Sequence, residues 1–281
     1  MRILCLHGVG SSGSVLESQL DAFVKASDPS YEFVYVDGAY PSAKGPGMEA
    51  VDDDEPCWSH TESYTPELMA QALENLQATI DDLGPFNCVI GFSQGAAIAV
   101  SHLLLQQLQG VAPSFEFAIF FSSVLAVPPD SRYAEGAIEK LISRKLDFAA
   151  AVDLGDLTAD ERVLADVLIR VIRPAQNHNA MLPDFDLDVY SRGDGAQAPR
   201  ILVPALVDEK LSIPTVHVTG KRDADFMKGM SEVSRGLCDE RMMKILEHPG
   251  GHQPPQDALS VRAAVGAMEW AIRQAQRKNM Y

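Results

Sequence analysis

The chain has 281 residues, 46% of them hydrophobic, enough to bury a large core and with no compositional sign of disorder. A formal charge of −16 argues against a nucleic-acid partner and gives no attraction to an anionic membrane, while favouring solubility. The four cysteines, Cys5, Cys57, Cys88 and Cys238, lack any Cys-x-x-Cys spacing and read as small apolar residues in a reducing compartment, so no structural disulfide is expected.

In chain order, residues 2–6 form a short apolar strand pattern that runs into His7-Gly8-Val9-Gly10. The chain enters this strand without the charged start and long apolar stretch of a signal peptide, and no segment approaches a membrane span; a cytoplasmic location is expected. Residues 14–26 carry Val15, Leu16, Leu20, Phe23 and Val24 at helical spacing, and 32–37 is the next strand. The stretch 38–60 is rich in glycine, proline and acidic residues and reads as a long loop. An amphipathic helix follows over 66–83, with Leu68, Met69, Ala72, Leu73, Leu76 and Ile80 on one stripe, and Gly84-Pro85 stops it.

The next strand, 86–90, ends at Gly91-Phe92-Ser93-Gln94-Gly95, after which Ala96 to Val100 begins a helix. A Gly-x-Ser-x-Gly sequence between a buried strand and a helix is how a serine nucleophile is exposed on a tight, strained turn, whose glycines let neighbouring backbone approach. Serine also favours helix N-caps, but capping does not account for glycine on both flanks. Residues 115–121 give a fourth strand. The fifth, 214–219, ends at Gly220 and leads into Lys221-Arg222-Asp223, which places a carboxylate beyond a strand's C-terminal end; Asp225 lies two residues on. The sixth, 242–247, runs into His248-Pro249-Gly250-Gly251-His252, where either histidine is a candidate base and the Gly-Gly pair favours His252. The order Ser93, Asp223, His252 is the serine–acid–base order of α/β-hydrolases. A helix from 257 to about 276 closes the chain. Alternating strands and helices of this kind point to a mostly parallel sheet covered on both faces.

Leu6-His7-Gly8, Gly91 to Ala96, His217 to Asp223 and His248 to His252 together resemble the family serine hydrolase (FSH) group of α/β-hydrolases, and the match spans nearly the whole chain. The resemblance implies one α/β-hydrolase domain over 1–281 with six core strands in the order 2-1-3-4-5-6. It implies a Ser93–Asp223–His252 triad and, as substrates, the acyl thioesters or esters on which family members act, including polyketide chains released from an acyl carrier protein. The backbone N–H groups of Val9 and Gln94 are the expected oxyanion donors. His7 reads as an orienting residue of its turn, and His60, His102, His178 and His217 as loop or packing residues. No histidine–carboxylate cluster has zinc-ligand spacing, so neither a metal nor a cofactor is expected.

About ninety residues, 124–213, separate the fourth strand from the fifth, more than a crossover helix needs. Their middle, Leu157 to Ile172, is helical in pattern. The segment reads as an inserted lid over the elbow, with Phe148, Met181, Leu182, Phe185 and Tyr190 as candidate lining for an apolar acyl chain. The residues support acyl-thioester cleavage by hydrolysis or by intramolecular lactonisation. A small-molecule carboxylesterase would share every one of them, and a non-catalytic binding module is disfavoured by the complete triad. An acidic carrier protein would require a local basic patch, for which Arg132, Lys140, Arg144, Lys145, Lys221 and Arg222 are candidates. The sequence leaves the oligomeric state open.

Overall fold

The structure is a computed structural model that describes all residues except 49–51, 53, 147, 149–153, 179–186, 194 and 279–281. It begins with β1 (Arg2–Leu6), α1 (Gly13–Ala26) and β2 (Glu32–Val36). Ser12 starts α1 by accepting a hydrogen bond from Val15 N–H on its side chain. The stretch read as a loop contains two short antiparallel strands, β3 (Tyr40–Ser42) and β4 (Cys57–Ser59). Three-residue strands of mixed polarity leave almost no period-2 signal, which is why the sequence pattern does not reveal them.

Next come α2 (Pro66–Leu83), β5 (Cys88–Phe92), α3 (Gln94–Leu108) and β6 (Phe117–Phe121). Thr65 caps α2, with Pro66 at the first helical position where its missing N–H costs nothing. The strand before the elbow continues through Gly91 and Phe92 rather than stopping at 90, because both pair with β6. The insert carries α4 (Glu135–Arg144), α5 (Ala159–Val167), a π-helical turn over Leu168–Ile172 and α6 (Arg173–Asn177). Then β7 (Thr215–Gly220), α7 (Asp225–Arg235), β8 (Met243–His248) and α8 (Ala258–Lys278) complete the chain.

The six long strands form one parallel sheet in the order β2-β1-β5-β6-β7-β8, matching the expected 2-1-3-4-5-6. Alternate residues of each strand feed opposite layers. Leu4, Leu6, Val89, Ala118 and Phe120 pack with α2 and α3, while Ile3, Cys5, Cys88, Ile90, Phe117, Ile119 and Phe121 pack with α1 and α8. A third apolar cluster belongs to the insert, with Leu125, Leu141, Leu164, Leu168, Val171 and Tyr190 among its buried members, and it reaches the body through Met230 of α7. Strand order reverses direction between β1 and β5. In a parallel sheet the loops leaving the C-terminal ends of two such strands diverge and open a crevice between them, so the fold places a cavity at that point.

Candidate active site

Ser93 sits in that crevice with φ 52° and ψ −112°, a positive-φ conformation that non-glycine residues rarely adopt. The flanking glycines are there for space. A Cβ on Gly91 would lie 2.4 Å from Ala96 Cα, and one on Gly95 would lie 2.4 Å from the Leu6 carbonyl oxygen. Although Ser93 occupies the N-cap position of α3, its side chain makes no capping hydrogen bond. Its Oγ instead lies 3.0 Å from His252 Nε2.

His252 Nδ1 lies 2.7 Å from Asp223 Oδ2, and Asp223 Oδ1 accepts a hydrogen bond from Ala224 N–H at 2.8 Å. An ionised carboxylate only accepts, so the imidazole proton sits on Nδ1 and Nε2 is free to accept from the Ser93 hydroxyl. Asp223 and His252 leave neighbouring strands, β7 and β8, and their loops are zipped together. Lys221 N–H donates to His248 O, and Arg222 N–H donates to Gly250 O. Gly220 allows this approach, since a Cβ there would fall 2.1 Å from Gly251 O. The two sequence alternatives are occupied elsewhere. His248 Nδ1 accepts from Gly250 N–H, and Asp225 pairs with Lys228.

Val9 and Gln94 both line the cavity beside Ser93. Gln94 is the first residue of α3, where backbone N–H groups have no intrahelical acceptor, and Val9 N–H has no backbone acceptor among the described residues. The turn that carries Val9 is held by buried histidines. His7 Nδ1–H donates to Gly8 O at 2.6 Å, and its Nε2 accepts from Gly38 N–H at 2.9 Å. The Nε2 acceptor role requires the neutral ring, and burial correspondingly holds the His7 pKa below its ordinary value. His60, a loop or packing residue by its sequence context, packs its ring on His7 with centroids 4.5 Å apart. Burial and the neighbouring His7 push its pKa well down.

The cavity in front of Ser93 has a volume of about 330 Å³ and is largely apolar, walled by Phe92, Leu125, Ile172, Phe226, Met227 and Met230. A second, more polar groove shares Gly47 and Met48 with it and is lined by Ser14, Ser18, Gln19, Glu55, Gln253 and Gln256. Two proposed lining residues prove to be elsewhere. Phe148 and Tyr190 are buried in the apolar cluster of the insert and are absent from the cavity wall. The Tyr190 hydroxyl donates to Pro199 O at 2.7 Å, which anchors the ring inside the insert. Met181, Leu182 and Phe185 lie outside the described residues. The insert contributes Val124, Leu125, Val127, Ile172, His178 and Ile201 to the wall instead, and α7 contributes Phe226, Met227 and Met230. The amphipathic pattern of α7 is the signal that would have pointed to these three.

A parallel sheet with this strand order, an elbow serine and an apolar crevice at its switch point define an α/β-hydrolase. The sequence profile described as "Serine hydrolase (FSH1)" matches residues 1–264, and the chain belongs to that family of serine hydrolases. It is 37% identical over 283 residues to the esterase alnB of Emericella nidulans, covering 100% of this chain and 99% of the relative. It is 27% identical to the esterase FPY3 of Fusarium mangiferae, covering 91% and 89% of the two chains. A crystal structure of Arabidopsis thaliana SOBER1 superposes with a TM-score of 0.47 at 14% identity, covering 97% of this chain and 99% of that one.

Proposed function

We propose that the protein cleaves acyl thioesters through an acyl-serine intermediate on Ser93, releasing a polyketide or fatty-acyl chain from a carrier protein or coenzyme. The observation that carries this reading is the hydrogen-bonded row Ser93–His252–Asp223 opening directly onto an apolar cavity. His252 Nε2 takes the Ser93 proton as Oγ attacks the acyl carbon, and Asp223 holds the tautomer and stabilises the imidazolium. The N–H groups of Gln94 and Val9 receive the charge that develops on the carbonyl oxygen, each such donor being worth roughly 3 kcal/mol in the transition state. His252 then returns the proton to the departing thiolate. It next activates either water, giving a free acid, or a hydroxyl of the acyl chain, giving a lactone.

The apolar cavity suits the acyl chain, at roughly 0.8 kcal/mol for each buried CH₂. The polar groove adjoins Gln253, next to the residue that must protonate the leaving group, and its amides and hydroxyls suit a neutral hydrogen-bonding arm. We also propose the insert as the cover of the site, on the strength of the wall it supplies. Of the candidate basic residues, Arg132 pairs with Asp130, while Lys140 and Arg144 pair with the buried Glu161. Lys221 and Arg222 are exposed, have no ion pair among the described residues and adjoin Asp223, which makes them the favoured contact for an acidic carrier. The second reading, a small-molecule carboxylesterase, is favoured by the esterase names of the relatives.

Turnover of medium-chain acyl thioesters beside matched oxygen esters, with product masses read directly, separates these readings. Thioester turnover that Ser93→Ala abolishes supports the first. A product lighter by one water marks cyclisation, and activity confined to oxygen esters rejects the thioesterase reading in favour of the esterase.

A further inference from the structure

The two backbone donors that face Ser93 come from different strands. Val9 follows β1, and Gln94 follows β5. A pair of donors stabilises an oxyanion only while both point at one position about 2.7–3.1 Å away, so the separation of these segments is a catalytic variable. The β1–β5 ladder ends at Leu6 and Gly91, and beyond it Gly95 N–H donates to His7 O at 3.1 Å. A third segment bridges them. His60 Nε2 lies 3.1 Å from His7 O, a carbonyl that can only accept, so the ring carries its proton there. The backbone N–H of the same residue donates to Gln94 Oε1 at 2.8 Å. Adjacent Ser59 Oγ accepts from Gly10 N–H at 3.3 Å, and the other end of the Gln94 amide donates to Tyr64 Oη at 3.4 Å. His60 is buried and its ring stacks on His7.

We propose that His60 is a positioning residue that clamps the two arms of the oxyanion hole at their working separation, its ring fixing the Val9 arm and its backbone the Gln94 arm. This rests on the serine-hydrolase reading above. His60 does not itself line the cavity and meets it only through its bond to Gln94, so its loss affects the geometry in which the transition state is held and leaves the apolar wall that binds substrate intact.

The test uses the full chain with an acyl ester or thioester that the wild type turns over. His60→Leu keeps the bulk and removes the ring donor; His60→Gln keeps a donor near the Nε2 position. His60→Leu is expected to lower kcat by about 10²-fold, the cost of an ångström-scale misplacement, with KM within about twofold. Affinity for a trifluoromethyl ketone, whose adduct with Ser93 carries an oxyanion, is expected to fall in parallel, and His60→Gln to recover most of both. Unchanged kcat, an equal rise in KM, or no recovery with glutamine would overturn the clamp. If His60→Leu does not fold, Gln94→Met carries the test, because it removes the acceptor of His60 N–H but keeps the Gln94 N–H. A loss confined to kcat supports the clamp, and wild-type kcat refutes it. Absence of Ser93-dependent turnover and of fluorophosphonate labelling in the wild type overturns the hydrolase reading and the clamp together. Ser93-dependent turnover that is indifferent to His60 overturns the clamp alone.

Discussion

Gly95→Ala is the sharpest test of how the elbow is built. Gly95 lies in α3 with an ordinary helical backbone, so alanine brings no conformational strain and only its methyl group matters. That methyl would sit 2.4 Å from Leu6 O and 2.6 Å from His7 O, whereas real Cβ contacts stay beyond 3.0 Å. Both obstacles are backbone of β1 and its turn, so the elbow and β1 must separate by about 0.6 Å or more. This stretches the Gly95 N–H to His7 O bond and moves Gln94 N–H away from Val9 N–H. Overpacking of this kind costs roughly 1–3 kcal/mol of stability. A domain of this size loses roughly 2–4 °C of Tm per kcal/mol. Loss of one oxyanion donor lowers kcat by roughly 10²–10³-fold. The assay is steady-state kinetics beside a thermal melt, with Gly266→Ala as control. Gly266 is exposed within α8 and an added Cβ meets nothing there, so that variant gains up to about 1 kcal/mol. Wild-type kcat and Tm in Gly95→Ala would refute the steric account of the motif.

Asp223→Asn is expected to keep the fold and lower kcat by about 10⁴-fold, because an amide no longer fixes the Nδ1–H tautomer; single-turnover kinetics checks it, and a loss below tenfold contradicts the assigned role. Met227→Trp fills the cavity wall and should shift chain-length preference downward, each excluded methylene costing roughly 0.8 kcal/mol, or about fourfold in kcat/KM. An unchanged chain-length profile would place the acyl chain elsewhere. Stability should fall in acid. Burial lowers the His217 pKa to about 3 and that of His102 to about 4, so the unfolded chain binds protons that the native state does not. The contribution is complete above about pH 6.5 and is lost progressively below it, at up to about 1.4 kcal/mol per pH unit for each histidine until its folded pKa is reached. Urea midpoints at pH 7.5 and 5.0 measure this, and His217→Gln should flatten the dependence by one proton's worth; an unaltered slope contradicts it.

Local chemistry made much of this molecule legible in advance. Apolar runs of strand length, helical stripes and the Gly84-Pro85 stop give the six long strands and the helices α1, α2, α3 and α8, because each depends on neighbours a few residues apart. The two glycines around Ser93 announce a close approach of backbone before the approaching segment is known. The parts the sequence could not supply are those defined by distant partners. Whether His248 or His252 faces Ser93 is decided by the zipping of the β7 and β8 loops, which turns the His248 Nδ1 inward to Gly250 N–H and leaves the His252 ring toward the serine. Phe148 and Tyr190 are as apolar and bulky as a substrate wall requires, yet packing density inside the insert takes them, and Met227 and Met230 line the cavity instead. His60 lies 34 residues from Gln94 in a stretch with no periodicity, and its place between two loops follows from where β1 and β5 end in the sheet. Sequence fixes which groups are available, since propensity and periodicity act over one or two turns of chain. Tertiary structure decides which of them meet, since that depends on register across the sheet and on the volume each packed layer leaves free.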